Sequence, residues 1–467
     1  MAHTQAVQPG VPCRRSSEFR PVLRLAFPLV VVQVGIMAMG VADTVMVGRI
    51  SATALAAVAL GNIFFFAVSV FGTGVLMALD PLVAQAVGAR DEPAIARGVQ
   101  RGFLIAVALA VVASVLLLPG EWMLSWLRQP PEVVELAAQY VRAVIPGMFP
   151  YYAFVVLRQS LQAMGRTTPI VLSIVGANVL NVLLNWALIF GKFGLPALGV
   201  VGSGWATSGS RWFMAVVLLA VSWRELRPYL LPVRTEAFQP RPLLRMIRLG
   251  APIGVQNQLE YGAFSAVGIL MGWIGTDAMA GHQVAINLAS LTFMVPLGIS
   301  AAAAVLVGQA VGRGDMEAAR RSARTSLVCG AAFMSCTAIL LLSIPETLAR
   351  LYSTQPEVIL VAGLLIPLAG VFQVFDGLQV VAIGVLRGTG DTRTPMLVNV
   401  LGFWLIGIPI GAYLGFRLGA GPQGLWWGMV IGLAAVATVL LLRVRARLGQ
   451  EVPRVVIEDE PGGVSIV

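Results

Sequence analysis

LVAQAVGARD at residues 82–91 returns as LVGQAVGRGD at residues 306–315, identical at seven of ten positions and displaced by 224 residues. MGRTTP (164–169) returns as TGDTRTP (389–395) with one insertion, and the helix entry Leu25-Ala26-Phe27-Pro28 returns as Leu249-Gly250-Ala251-Pro252. A period this long is a duplicated domain rather than a solenoid unit. Between the copies lies WRELRPYLLPVRTEAFQPRPLLRMIR (223–248), with six arginines, two glutamates and four prolines, the longest break in an otherwise apolar chain. Two related membrane halves joined by a basic linker form a transporter pattern.

Composition leads to the same class. A hydrophobic fraction of 58%, a mean hydropathy of +0.84 and 12% charged residues exclude an ordinary soluble domain. Apolar windows of about 20 residues, enough to cross ~30 Å of hydrocarbon as helix, fall near 22–48, 54–79, 98–119, 133–157, 168–190, 196–222, 246–273, 278–306, 322–344, 358–386, 394–416 and 421–443. The runs are continuous rather than alternating, so helices are expected, not a barrel. The predicted fold is all-α and polytopic, with twelve transmembrane helices in two pseudo-symmetric six-helix bundles. The divisions are a tail at 1–20, a first bundle at 21–222, a linker at 223–245, a second bundle at 246–445 and a tail at 446–467.

The net charge of +10 follows topology rather than a nucleic-acid partner. With a cytoplasmic N-terminus, 25 of the 32 Lys+Arg fall in the first tail, the even-numbered loops and the last tail. Arg49, Arg128, Lys192, Arg350 and Arg417 fall at the opposite ends, while Arg142 and Arg211 lie inside spans. This is the positive-inside bias of a multi-pass protein of the cell's inner membrane, with both termini in the cytoplasm. Residues 1–20 contain no apolar h-region, so no cleavable signal peptide is expected. Cys13, Cys329 and Cys336 form no metal or redox spacing; the last two, seven apart on one helix, are expected to pack.

Ionisable and amide residues inside the spans are the candidate site. An intramembrane charge costs at least ~2.5 kcal/mol unless partnered, so each marks a functional position by default. Asp43 lies six residues before Arg49, roughly 9 Å from the outer boundary. Asn181 and Asn185 share one helical face at similar depth, and Thr207 adds a hydroxyl. Such a hard, oxygen-rich set suits a proton or Na⁺ rather than a transition metal, although amides and hydroxyls also join helices as plain structural glue. In the second half, Glu260 lies about 18 Å past Arg248 and Asp376 about 16 Å before Arg387, both near the midplane. Gln256 stands one turn before Glu260, and Gln373 and Gln379 flank Asp376. Two neighbouring carboxylates favour sharing a proton or a cation. Asp80, before Pro81, has no acidic counterpart at Ala304, and Arg211, one turn past Thr207, reads equally well as a structural counter-ion.

These residues carry a resemblance. DTVMVGRIS with LAAVALGN, the paired loops quoted first, GHQVAINLASLTFMVPLGIS (281–300) and LRGTGDTRTPM (386–396) resemble the multidrug and toxic compound extrusion (MATE) family over residues 20–445, in order and in both halves. The resemblance implies secondary-active export of cationic, amphipathic drugs or dyes by antiport against H⁺ or Na⁺. Pro252 with Glu260, and Asp376 ahead of LRGTGDT, are similar to the NorM-type bacterial branch, in which this acidic pair forms the cation and substrate site. Asp43, Asn181, Asn185 and Thr207 match the family's other cation site, so Na⁺ could sit at either set. Phe372 stands where sodium-coupled members carry a tyrosine, which leaves the coupling ion open. No cofactor beyond that ion is implied, and the expected partners are small cationic molecules and the bilayer, with the chain acting as a monomer.

Two other classes fit less well. A lipid-linked or metabolite exporter of the same superfamily would want a large basic cavity for phosphate or sugar headgroups, whereas here the arginines crowd the cytoplasmic face. A membrane enzyme would need a nucleophile, metal or acid/base cluster near an interface, yet the only histidines are His3 and His282, without HExxH spacing, and no GxxxxGK phosphate loop occurs.

Overall fold

The computed structural model describes residues 16–126 and 130–458. His3, Cys13 and Arg128 lie outside them, as do most of the first tail and the last residues of the second. Among the described residues there is no strand, and twelve long helices follow one another. The first six are α1 (Ser16–Val47), α2 (Ala52–Gly88), α3 (Glu92–Leu117), α4 (Pro131–Ala163), α5 (Thr168–Phe190) and α6 (Gly199–Val221). The second six are α7 (Pro240–Ile274), α8 (Thr276–Gly312), α9 (Met316–Ser343), α10 (Pro356–Gly388), α11 (Arg393–Arg417) and α12 (Gly421–Leu448). Each coincides with one apolar window of the sequence. Ten are long and apolar enough to span a membrane by composition alone. The other two, α6 and α7, are diluted by Arg211 and a Gly/Ser-rich start in α6, and by Glu260 with three neighbouring amides and a basic first turn in α7.

The repeat is visible in how the helices begin. Asp91 and Asp315, 224 residues apart, each accept a hydrogen bond at the helix start, from Ala94 N at 3.0 Å and Ala318 N at 2.9 Å. Each carboxylate satisfies an otherwise orphaned amide of the first turn of α3 or α9. The residue before each cap has a left-handed backbone: Gly314 at φ 72° in one copy and Arg90 at φ 57° in the other. The turn thus survives without its glycine in the first copy, at the modest cost a side chain meets there.

The linker is shorter than its sequence limits suggested. Trp223–Leu230 is helical, and α7 already begins at Pro240. Nor do the apolar clusters respect the halves. Leu25, Ala26 and Leu29 of α1 pack among residues of α8, α10 and α12, while Met246 and Leu249 of α7 pack among residues of α2–α4. Leu25 and Leu249 are repeat mates, so each half lends the start of its first helix to the other. At the α2–α7 crossing, a Cβ on Gly74 would lie 2.4 Å from the Gly254 Cα, so the two backbones touch and only glycine fits.

Among the described residues, the hydrogen bonds between the halves lie at the arginine-rich end or at the depth of Asp80. The backbones of the two halves also meet there, Gly88 against Gln309, Gly312 against Gln85 and Gly250 against Val75. The molecule is therefore closed at its arginine-rich end. Cys329 packs partly buried against the second-half cluster, whereas Cys336 is exposed on α9 and does not pack as expected.

Candidate functional site

Three helices of the first half bring Asp43, Asn181, Asn185 and Thr207 together. Asn185 Nδ2 donates to Asp43 Oδ1 at 2.6 Å and to Asn181 Oδ1 at 3.1 Å, and Thr207 Oγ1 lies 3.0 Å from Asp43 Oδ2. All four residues are buried. Their i,i+4 spacing on α5 places both amides on the face turned towards α1. Thr207 Oγ1 also lies 3.0 Å from the Ser203 carbonyl, which fixes its rotamer. Two polar atoms of the cluster, Asn181 Nδ2 and Asn185 Oδ1, are buried without a partner. Arg211 reaches this region without bonding to Asp43; its guanidinium lies 4.1 Å over the Phe65 ring and 5.2 Å from that of Tyr151. That is a cation–π seat beside a carboxylate, near enough for the charge to be felt at Asp43.

The second-half acids sit on α7 and α10. Glu260 is partly accessible and accepts from Asn399 Nδ2 of α11 at 3.1 Å. Asp376 is buried, and its Oδ1 has no partner. No hydrogen bond joins the two acids. No arginine or lysine is ion-paired with either among the described residues. Gln379, one turn from Asp376, is buried with neither amide atom bonded. Gln256 is buried on α7 one turn before Glu260. Gln373 is already engaged: its amide donates to Thr292 Oγ1 and to the Ala289 carbonyl at 3.3 Å, and its Oε1 accepts from Thr337 at 3.2 Å. It ties α8, α9 and α10 together and has little left for a ligand. Phe372 is fully buried in an edge-to-face cluster with Phe264 and Trp426.

Asp80 belongs elsewhere. Its Oδ2 lies 3.2 Å from Arg387 Nη1, in a buried ion pair that joins α2 of the first half to α10 of the second. In the sequence, Arg387 serves only as a boundary marker and nothing singles out Asn399. The latter is an amide in the apolar α11, just before two wide π-helical turns at Leu401–Gly407 and Tyr413–Arg417. An intramembrane amide was the available signal; its helical rotation was not.

Comparison with known proteins identifies the fold and family. Residues 28–187 and 252–413 match the MatE family model, one copy in each half. The multidrug resistance protein MdtK of Edwardsiella ictaluri is 36% identical over 436 residues, 92% of this chain and 95% of the relative. MdtK of Photorhabdus laumondii is 37% identical over 440 residues, covering 91% and 95%. Among solved structures, the eukaryotic MATE transporter AtDTX14 superposes with a TM-score of 0.83 at 24% identity, over 93% of this chain and 99% of that one. The Vibrio cholerae MATE transporter VcmN in its bent form gives 0.84 at 18% identity, over 93% and 98%.

Proposed function

The chain belongs to the MatE family, and on that premise we propose that it exports cationic amphipathic compounds through Glu260 and Asp376, in exchange for H⁺ in preference to Na⁺. It is a multi-pass multidrug efflux transporter, like the relatives it matches over nearly its whole length. One observation carries the site assignment. Of two membrane-embedded carboxylates, Glu260 has one amide donor, an oxygen of Asp376 has none, and neither has an ion-paired cation among the described residues, while Asp80, elsewhere in the membrane, has its own arginine. A charge left in hydrocarbon without a counter-ion is costly, so the pair is relieved by taking up a proton, a metal cation or a cationic drug. Neutralisation by one of these lowers affinity for the next, which is what exchange requires.

Protons are preferred because Phe372 supplies no hydroxyl to a metal ion and is locked into an aromatic cluster. A proton needs only the carboxylates themselves. In the first half, Asp43 with its two asparagines and Thr207 is proposed as a second cation site, with Arg211 limiting how much further positive charge it accepts. The arginine-rich end is assigned to the cytoplasm of the cell's inner membrane, with both termini there and the chain acting as a monomer. The structure is then closed inward.

The test is ethidium transport in vesicles containing the full chain, energised in turn by a pH gradient and a Na⁺ gradient. Transport driven by ΔpH and lost in Glu260→Gln and Asp376→Asn is expected. Transport driven by Na⁺ alone overturns the proton preference, and no transport under either gradient overturns the antiport reading.

A further inference from the structure

The two halves create two equivalent grooves at the arginine-rich end, and among the described residues only one is filled. In the filled groove the segment after α12 crosses from the second half to the first. Val455 N donates to Gln85 Oε1 at 2.7 Å, and Arg245 Nη1 donates to the carbonyls of Ile457 at 3.0 Å and Glu458 at 3.1 Å. A Cβ on Gly390 would lie 2.4 Å from the Val455 side chain, so the segment lies directly on the α10–α11 turn. The segment is anchored by a carboxylate: Glu458 pairs with Arg97 at 2.9 Å and with the fully buried Arg101 at 2.6 Å.

The repeat mates of Gln85, Gly390 and Arg245 are Gln309, Gly165 and Pro21. All three line a cavity of about 1290 Å³ between α1, the α4–α5 turn and α8. Gln309 uses its amide on the Ala163 carbonyl, as Gln85 uses its own on Gly388. Its Oε1 accepts nothing among the described residues, whereas that of Gln85 holds the tail. The walls bring Arg20, Arg24 and Arg166 against one carboxylate, Glu225. None of the three arginines is ion-paired among the described residues. Beside them Leu172 and Val221, 57% and 49% exposed, continue the wall onto the outer surface of α5 and α6.

We propose that this open groove binds one anionic phospholipid, its phosphodiester held by Arg20, Arg24 and Arg166 and its acyl chains laid along Leu172 and Val221. Arginine matches phosphate oxygens with paired donors, and basic pockets between membrane helices at the cytoplasmic boundary suit anionic headgroups. The chain's own first residues carry Arg14 and Arg15, so like charge argues against them as the occupant. The groove has walls from both halves, as the filled one has, so a bound lipid braces the closed end on the side opposite the segment Val452–Glu458. This inference rests on the membrane placement of the chain and is independent of its coupling ion and of the two acids.

The test is native mass spectrometry of the full chain titrated with phosphatidylglycerol, with phosphatidylethanolamine and inorganic phosphate as comparison probes. Three variants are needed: Arg20→Gln/Arg24→Gln/Arg166→Gln, a linker control Arg224→Gln/Arg227→Gln/Arg241→Gln of equal charge change, and a chain lacking residues 1–15. The groove variant is expected to lose at least about tenfold in phosphatidylglycerol retention, since each arginine near anionic lipid contributes roughly fivefold. The linker control is expected to retain it. The arginines concerned are exposed, and an unchanged melting temperature shows that the variants fold. Equal loss in both triple variants would mean diffuse attraction and overturn the proposal, as would equal retention in the groove variant and the parent chain. Inorganic phosphate binding as well as the lipid overturns the lipid assignment. Lipid retention that appears only after removal of residues 1–15 assigns the groove to the tail instead.

Discussion

Gln85 of the first half donates its side-chain amide to the Gly388 carbonyl of the second at 2.9 Å, and its repeat mate Gln309 returns the bond to Ala163 at 2.8 Å. The acceptors close α10 and α4, which end 225 residues apart. The closed end is therefore held by one bond used twice, related by the duplication. Backbone packing reinforces it, since a Cβ on Gly88 would lie 2.1 Å from the Gln309 carbonyl oxygen and one on Gly312 2.0 Å from that of Gln85.

Either glutamine replaced by alanine should loosen this end without unfolding a half. One such bond contributes about 1 kcal/mol, so the open population should rise roughly fivefold. Hydrogen–deuterium exchange of residues 84–88 and 305–312 in nanodiscs is the readout. Unchanged exchange in both variants would show that the glycine-lined packing alone closes this end.

The Asp80–Arg387 pair predicts an asymmetry. Asp80 is the carboxylate on which both Arg387 and the nearby Arg158 act. Asp80→Asn leaves two inward cations without it, whereas Arg387→Gln leaves Asp80 with Arg158 still near. Breaking a buried pair costs on the order of 3–5 kcal/mol, and Asp80→Asn is expected to be the more damaging of the two in thermal melts. In Asp80→Asn/Arg387→Gln part of the loss should return. A double variant no more stable than Asp80→Asn would remove the pair from the account.

What the sequence shows and hides follows from helix geometry. Depth along a helix can be counted from the boundary arginines at ~1.5 Å per residue, so the chain alone gives an expected depth for Asp43, Glu260 and Asp376. The duplication was equally plain in LVAQAVGARD and LVGQAVGRGD. Rotation about the axis is not encoded where a helix is apolar around a lone amide, as α11 is around Asn399. For that reason Asn399 beside Glu260, Arg387 beside Asp80 and the absorption of Gln373 by Thr292 and Thr337 appear only in three dimensions. The tail strap was hidden for a different reason. A short polar segment after the last helix reads as solvent-exposed until Arg97, Arg101 and Gln85 are seen to converge on it.

That strap should be sensitive to acid. Burial pushes the Glu458 carboxyl up, but the bonds and charges of Arg101 and Arg97 outweigh it and hold the group below the usual glutamate range. Asp91 behaves alike: burial is outweighed by the Ala94 amide, Arg454 and Arg97. A depressed carboxylate adds stability that is complete above its unfolded value and lost as pH falls through its folded one. The strap is therefore expected to be fully docked at neutral pH and to release only below the ordinary carboxylate range of about 4. Proteolysis of residues 450–458 across pH reports it, and Glu458→Gln should make the segment cleavable at neutral pH. Release near pH 6 to 7 would point to a different group.

In the first half, Asp43→Asn is expected to fold and insert normally, because a neutral amide is cheaper to bury than a carboxylate. Asn185 and Thr207 can still hydrogen-bond the substituted group. Coupled ethidium export should fall nonetheless, since the residue can no longer change charge. Full export at parental protein levels would reduce the cluster to interhelical glue.

The acids of the second half make the sharpest case, because the reading requires them to act as one unit. Glu260 has one amide donor and Asp376 has an oxygen with none, and neither has a paired cation among the described residues. If they share a proton or a cationic drug, neutralising either removes both the mutual repulsion and the shared site. Glu260→Gln, Asp376→Asn and the double variant should then lose similar amounts of ethidium export rather than additive amounts. Asn399→Leu should mimic Glu260→Gln only in part, because it withdraws a donor of about 1 kcal/mol and leaves the charge in place. Gln373→Leu should instead lower stability, since it cuts the ties to Thr292 and Thr337 and touches neither acid. The measurement is a double-mutant cycle of initial efflux rates under a fixed pH gradient, alongside thermal melts of each variant. Additive losses would show two independent sites. A Gln373→Leu variant that keeps its stability but loses transport would move the substrate contact one turn along α10.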